Sequence, residues 1–245
     1  RVLETMDDVQ IVFGRLQQAM VITFDTETTG VDALSASLVG FSLAGDVREG
    51  LYVSFVNGHW TPVQIDEIKK QLGALLANHS CVVMHNAKFD LHVLKTAGIA
   101  LPRHVQDTML MADLLRSDED QKVGLKSLSV RVLSEPMQDF KEVAAGFKNF
   151  SEVPLEQAAK YATHDVVQTY KLYEIFVREL ARFPSLQRVY EQVELPLMRI
   201  LFAMESTGIT LDPAQLKQVR FDVVHAMTTI DEKIRGFLFS VGYEG

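Results

Sequence analysis

Residues Val21-Ile22-Thr23-Phe24-Asp25-Thr26-Glu27-Thr28-Thr29-Gly30 constrain the chain more than any other stretch. Val21 to Phe24 are β-branched or aromatic and read as a strand. Successive side chains of a strand alternate between its faces, so Thr23, Asp25 and Glu27 share one face. Thr28-Thr29-Gly30 then turns the chain away. Two carboxylates therefore leave the end of an apolar strand in the same direction. Like charges at that spacing repel, and burial raises the cost. Three readings are open from the strand alone. A cation sits between the acids, or their pKa values are pushed up, or they are solvated acids at a strand end.

The surrounding chain has the means to bury such a strand. Its 245 residues are 47% hydrophobic and 23% charged, enough for a sizeable core. No apolar run is long enough to cross a bilayer and no signal peptide opens the chain, so no membrane partner is expected. The single cysteine, Cys81, precedes Val82-Val83 and reads as an inert thiol of a buried strand. A reducing, cytoplasmic setting follows, as in a bacterium or a phage-infected cell. The start at Arg1 reads as a piece of a longer chain. The net charge of −8 argues against avid non-specific binding to duplex DNA. It leaves room for a nucleic-acid enzyme whose acids hold divalent cations.

Asp7-Asp8 opens a helix with Val9, Val12, Phe13 and Leu16 on one stripe. Leu38–Ala44 and Leu51–Phe55 are two more strands, joined by a turn over Gly45–Gly50 and completing an antiparallel meander. Thr61-Pro62 caps a helix that buries Ile65, Ile68, Leu72, Leu75 and Leu76. Cys81–Met84 is a fourth, fully apolar strand. His85–Asp90 opens a helix ended by Gly98, with Asn86 and Asp90 on one face. No fifth strand can be placed: Val105-Gln106 leads into Asp107, a helix cap. Asp107–Leu115, Lys126–Leu133 and Phe140–Gly146 read as helices, and Ser117–Asp120 as a solvated loop. A long helix from Pro154 to about Leu180 carries Tyr161 and Asp165 on one face. Two further helices follow Gln187, broken at Gly208 and Pro213. Three strands, a helix, a fourth strand and then helices make an α/β domain with a mixed sheet. Phe183-Pro184 is the expected boundary between residues 1–183 and a helical 184–245.

Acids thus stand in three separate places: Asp25 with Glu27, Asp90, and Asp165. Oxygen-rich sites suit magnesium and manganese, and two such ions about 4 Å apart are a recurring device for phosphodiester hydrolysis. Phe24-Asp25-Thr26-Glu27, His85-Asn86-Ala87-Lys88-Phe89-Asp90 and Tyr161-Ala162-Thr163-His164-Asp165 resemble the three motifs of the four-carboxylate 3′→5′ exonucleases. They stand in that family's order, with 65 and 75 positions between successive aspartates. The Tyr-x-x-x-Asp third motif is similar to the tyrosine subclass, which includes the proofreading domain of family A DNA polymerases. Leu38–Ser42, Asp107–Leu110, Phe140–Ala144, Tyr190–Leu197 and Met204–Ile209 extend the resemblance over nearly the whole chain. Only Thr29-Gly30 is closer to the histidine subclass, and Lys160 stands where that subclass would have its histidine.

The resemblance implies a ribonuclease H-like mixed sheet flanked by helices, followed by the truncated start of a polymerase domain. It implies two Mg²⁺ or Mn²⁺ ions, with Asp25, Glu27 and Asp165 on the nucleophile side. Asp25 bridges to the second ion, and Asp90 helps through water. Tyr161 would orient the attacking water. Thr28 (through its backbone), Val31, Asn86 and Phe140 would contact the terminal nucleotides. The implied partners are single-stranded or frayed 3′ ends of DNA and the rest of the polymerase chain, with the protein a monomer. Competing readings are an RNA-trimming exonuclease of the same subclass and a catalytically silent DNA-binding domain. Beside these roles stand plainer ones. His85, His92 and His164 read as packing or surface residues, Phe140 serves equally as core, and Met109-Leu110-Met111 reads as core.

Overall fold

The computed structural model of the chain describes residues 1–56, 60–118, 120–138, 140–143 and 146–242, and the side chains of all of these but Phe140 and Lys141. The strand foreseen at Val21–Phe24 runs longer, as β1 (Ile22–Thr28), and lies at the centre of a five-stranded sheet. β2 (Leu38–Ala44) and β3 (Gly50–Ser54) complete the antiparallel meander on one side. On the other side β4 (Val82–Met84) and β5 (Val105–Asp107) run parallel to β1, giving the order β3-β2-β1-β4-β5.

β5 is the strand that sequence reasoning did not place. Three residues with Pro102 just upstream carry no readable alternation. Their strand character comes from pairing with β4, residue for residue, from Val82↔Val105 to Met84↔Asp107. Cys81 lies just before β4 and is half-buried, with its Sγ 3.4 Å from the Tyr173 hydroxyl.

The two faces of β1 part as its alternation requires. Ile22 and Phe24 enter the larger core, packed against α1 (Met6–Gln17) and α2 (Pro62–Asn78). Thr5 caps α1, and Thr61 with Gln64 forms a reciprocal capping box on α2 with Pro62 in the first turn. Thr23, Asp25 and Glu27 face the other way, toward α7 (Leu155–Ala181), the long helix that packs on β1, β2 and β3. Thr23 Oγ1 donates to the Val166 carbonyl at 2.9 Å and pins α7 to the strand one residue from Asp165. Where that sheet face meets Thr163 it is reduced to a glycine. A Cβ added at Gly50 would lie 2.4 Å from the Thr163 carbonyl oxygen.

Several segments wind differently from the expectation. α3 (Ala87–Thr96) begins after Asn86, which sits in the left-handed region at φ 68°, so Asn86 and Asp90 are not stacked on one helical face. Asp107 caps α4 (Thr108–Leu115). Lys126–Leu133 divides into a short α5 (Leu125–Leu128) and a wider turn over Ser129–Leu133. α6 covers Phe140–Val143, and the rest of the foreseen Phe140–Gly146 helix includes residues outside those described. Past Pro184, α8 (Pro184–Val189) passes through a wide turn at Tyr190–Glu194 into α9 (Leu195–Thr207). Pro196 lacks an N–H, and a wide turn just before it accommodates the lost helical bond.

The chain divides into two compact units, Arg1–Ser206 and Thr207–Gly245. The division falls in the last turn of α9, so α8 and nearly all of α9 belong to the first unit. Tyr190 and Met198 are buried in the first unit, and Glu205 binds Lys88 at 2.5 Å and His92 at 2.9 Å. No local pattern could reveal this, because those partners are about a hundred residues away. In the second unit α10 (Pro213–Ser240) is capped by Asp212 and leaves its apolar side chains exposed. Among the described residues no helix is long and apolar enough to cross a membrane.

The close approach at Gly50 generates a test. Gly50→Ala should destabilise by about 1–3 kcal/mol, the usual cost of overpacking, because a helix carbonyl cannot step aside. Gly14→Ala, in α1 with nothing within 4 Å of its added Cβ, should be neutral or stabilise by up to about 1 kcal/mol. Urea midpoints of the two variants check both signs.

Candidate active site

β1 pairs with β4 over only two positions, Ile22↔Val82 and Thr23↔Val83. Beyond them the strands part, and the crevice at their carboxyl ends is where open α/β sheets place their ligands. The pairing of β1 with β2 also shifts register between Glu27 and Thr28. Such irregularities re-aim side chains beside functional sites.

The freed edge of β1 is taken up by α3. Asp90 Oδ1 accepts the Thr26 backbone N–H at 2.9 Å and the Thr26 hydroxyl at 2.6 Å. Asp90 is thereby carried to the strand end from the face opposite α7. On the α7 side stand Tyr161 and Asp165, one turn apart. The tyrosine hydroxyl donates to Asp165. All five sequence-derived residues, Asp25, Glu27, Asp90, Tyr161 and Asp165, line one open cleft of about 780 Å³.

The foreseen nucleotide contacts distribute around the same cleft. Thr28, Val31 and Asn86 line it. Thr28 Oγ1 donates to the Gly30 carbonyl at 2.7 Å, and Val31 is 93% exposed at the rim. The Phe140 side chain lies outside the described residues. Met109 lines the cleft half-buried, while Leu110 packs against the core and Met111 lies within it. Of the histidines, His85 lines the cleft and the other two have partners outside it. His92 binds Glu205 and meets Phe202 at a tilt, with ring centroids 4.6 Å apart, while His164 binds Gln168. His85 Nδ1 pairs with Thr108 Oγ1 at 2.8 Å, and burial lowers its pKa to about 4, which keeps the ring neutral.

The electrostatics of the cleft separate the three readings of the paired acids. Burial is the largest cause of the shift for each of the four carboxyls. It raises Asp25 to about 7 against the pull of Lys126. Glu27, Asp90 and Asp165 are raised well above their ordinary values by burial and then by Asp25, which repels all three. They are not solvated acids at a strand end. Glu27 Oε1 and Asp165 Oδ1 are buried with no hydrogen-bond partner, which is costly unless some ligand satisfies them. Among the described residues no group of three or more His, Cys, Asp or Glu side chains forms a ready metal-ion site as it stands. The donor set is nonetheless all oxygen and strongly anionic, which suits a hard divalent cation.

Three contributors escaped sequence reasoning. Thr26 lies on the strand face away from the acids, so its grip on Asp90 has no sequence signal. Lys126 donates to the Tyr161 hydroxyl at 3.0 Å from another element. Asp107 does more than cap α4. It accepts from Met109 N at 2.8 Å and also from Asn86 N at 3.1 Å and Ala87 N at 2.8 Å, at the start of α3. A single carboxylate thus holds two helix starts together.

Comparison with known proteins agrees with this geometry. A family model described as 3′-5′ exonuclease matches residues 1–181. DNA polymerase I of Chloroflexus aurantiacus is 35% identical over 227 residues, which cover 90% of this chain and 24% of the relative. The chain thus spans about a quarter of the length of the curated relatives it matches. Among solved structures, the polymerase domain of Pol1 from M. smegmatis with DNA primer-template and dNTP superposes with a TM-score of 0.70 at 22% identity. That match covers 92% of this chain and 35% of the other. NrnC of Brucella melitensis bound to pGG gives 0.60 at 20% identity, covering 86% and 94%. With its mixed sheet and its three motifs gathered at one strand end, this chain belongs to the 3′-5′ exonuclease family of family A DNA polymerases.

Proposed function

We propose that the cleft hydrolyses the 3′-terminal phosphodiester of DNA with the help of divalent cations, releasing nucleoside 5′-monophosphates as the proofreading part of a longer polymerase. The observation that carries this reading is the cluster of four carboxyls, Glu27, Asp90 and Asp165 buried and repelled by the half-buried Asp25, with two orphaned oxygens. Such a cluster is stable in charged form only around cations. Asp25, Glu27, Asp90 and Asp165 would hold Mg²⁺ or Mn²⁺. Bound there, the ions supply an activated water and charge for the leaving 3′ oxygen. Tyr161, whose hydroxyl stays protonated because burial and the acids beside it raise its pKa, orients that water as a hydrogen-bonding group. Thr26 keeps Asp90 in place, and Val31 and Asn86 bear on the terminal nucleotides. On this reading residues 184–245 begin the polymerase portion.

The direct test is a time course on a 5′-labelled DNA strand, alone, with a mismatched 3′ end and fully paired. Shortening from the 3′ side, faster on the first two, is expected. A paired end must lose its stacking before it reaches acids at the foot of a cleft. Equal rates on all three, or first release of the label, would overturn the reading. RNA trimmed faster than DNA would favour the RNA-trimming alternative.

Asp25→Ala should abolish hydrolysis while leaving the metal-free protein at least as stable, because it relieves repulsion among the remaining acids. Tyr161→Phe should slow single-turnover hydrolysis by about 10²–10⁴-fold with metal binding intact. A loss of no more than threefold would remove the tyrosine from the chemistry.

The raised carboxyl pKa values predict a pH dependence. The folded state binds protons more tightly than the unfolded chain, so the metal-free protein is most stable below about pH 4, as far as these groups go. It loses that stability as pH rises through about 7, where Asp25 ionises. Mg²⁺ should therefore raise the melting temperature more at pH 8 than at pH 5. Scans with EDTA and with excess Mg²⁺ check it.

A further inference from the structure

We propose that Lys126 is a positioning residue of this site, fixing the Tyr161 hydroxyl for its part in hydrolysis. The inference rests on the function proposed above. α5 is only one turn long, anchored by the buried Leu128, and it delivers Lys126 into the cleft from the side opposite β1's acids. A half-buried lysine ordinarily extends its ammonium into water. Lys126 instead lies over the Tyr161 ring, 4.7 Å from its centroid, and donates to Oη at 3.0 Å.

This contact has two physical consequences. Lys126 occupies a lone pair of Oη, while the O–H is committed to Asp165. The hydroxyl rotor is therefore set from both sides, and a phenol that could turn freely becomes one with a defined direction. The ammonium also faces the acids electrostatically, favouring the charged forms of Asp25, Glu27 and Asp165. The second lysine of the cleft, Lys148, is exposed and serves as a control.

A double-mutant cycle in the 245-residue chain tests the proposal. With Mg²⁺ and a 5′-labelled single-stranded oligodeoxynucleotide, Lys126→Met should slow single-turnover hydrolysis at least tenfold. Binding of the strand, measured in Ca²⁺ by anisotropy, should change less than threefold. Lys126→Arg, which keeps charge and donor, should recover most of the rate. In a Tyr161→Phe background Lys126→Met should cost several-fold less than in the unaltered chain, because only its pull on the acids is left to lose. Full activity of Lys126→Met, or a loss that multiplies undiminished with that of Tyr161→Phe, would overturn the proposal. A second readout does not need activity. In protein labelled at tyrosine ¹³Cζ, the Tyr161 signal is the one of six that Tyr161→Phe removes. It should move in Lys126→Met and stay in Lys148→Met. If the unaltered chain hydrolyses nothing, the proposed function fails, and the ¹³C shift alone decides whether Lys126 governs the tyrosine. An unmoved signal sinks it.

Discussion

The mutual repulsion of buried carboxyls is the constraint around which the first compact unit is built. Asp25, Glu27, Asp90 and Asp165 are each disfavoured as anions by burial, and the last three also by the charge of Asp25. A fold that holds them together must supply the stability from elsewhere. It does so by rooting each acid in a rigid element: the central strand for two, and a helix on each face of the sheet for the others. The apolar core beneath β1 is continuous from α1 through α2 to β4, so the strand end has little freedom to splay. The parting of β1 from β4 after two pairs then leaves a backbone N–H at Thr26 that Asp90 claims. A gap in the sheet ladder becomes the anchor of one of the acids.

Around this centre, polar groups tie helices that have no sequence continuity. Asp107 accepts from the starts of α3 and α4, while its own N–H donates to the Tyr190 hydroxyl at 2.9 Å. Tyr190 donates in turn to Gln106 at 3.0 Å. The segment after Pro184 is therefore fastened to the same short strand that orients the Asp90 helix. A second tie runs from Glu205 to Lys88 and His92 on α3. These pairs are worth little singly where they are exposed. Their effect is on orientation, since both bear on the helix that presents Asp90.

What could be read from the chain was what local chemistry decides. The β-branched run before Asp25, the caps at Thr61 and Asp107, and the three acid-bearing motifs each carry their signal within a few residues. The antiparallel meander, the long helix from Pro154 and the convergence of the motifs at one site followed from these. What stayed hidden depends on partners distant in sequence. β5 is three residues made into a strand by its neighbour. Asn86 adopts a left-handed turn, so a helical spacing rule misjudged its direction. Lys126 lies at the start of its helix with no local signal of a role, because Tyr161, which it meets, lies 35 positions on. The packing of Tyr190 and Met198 into the first compact unit arises from contacts that no composition shift announces.

The glycine on the α7 face of the sheet has a consequence for how such a site is inherited. Gly50 admits the Thr163 carbonyl to a distance that any side chain would forbid, and Thr163 lies between Tyr161 and Asp165. The depth at which those two groups sit is thus gauged by an atom that is missing, on a strand that supplies none of the residues lining the cleft. A residue with no chemistry of its own acts as a shim, and thickening it would lift the tyrosine and the aspartate together. The dimensions of the cleft are in this sense recorded on β3, at the edge of the same sheet face that carries the acids, where a search confined to reactive side chains would not look.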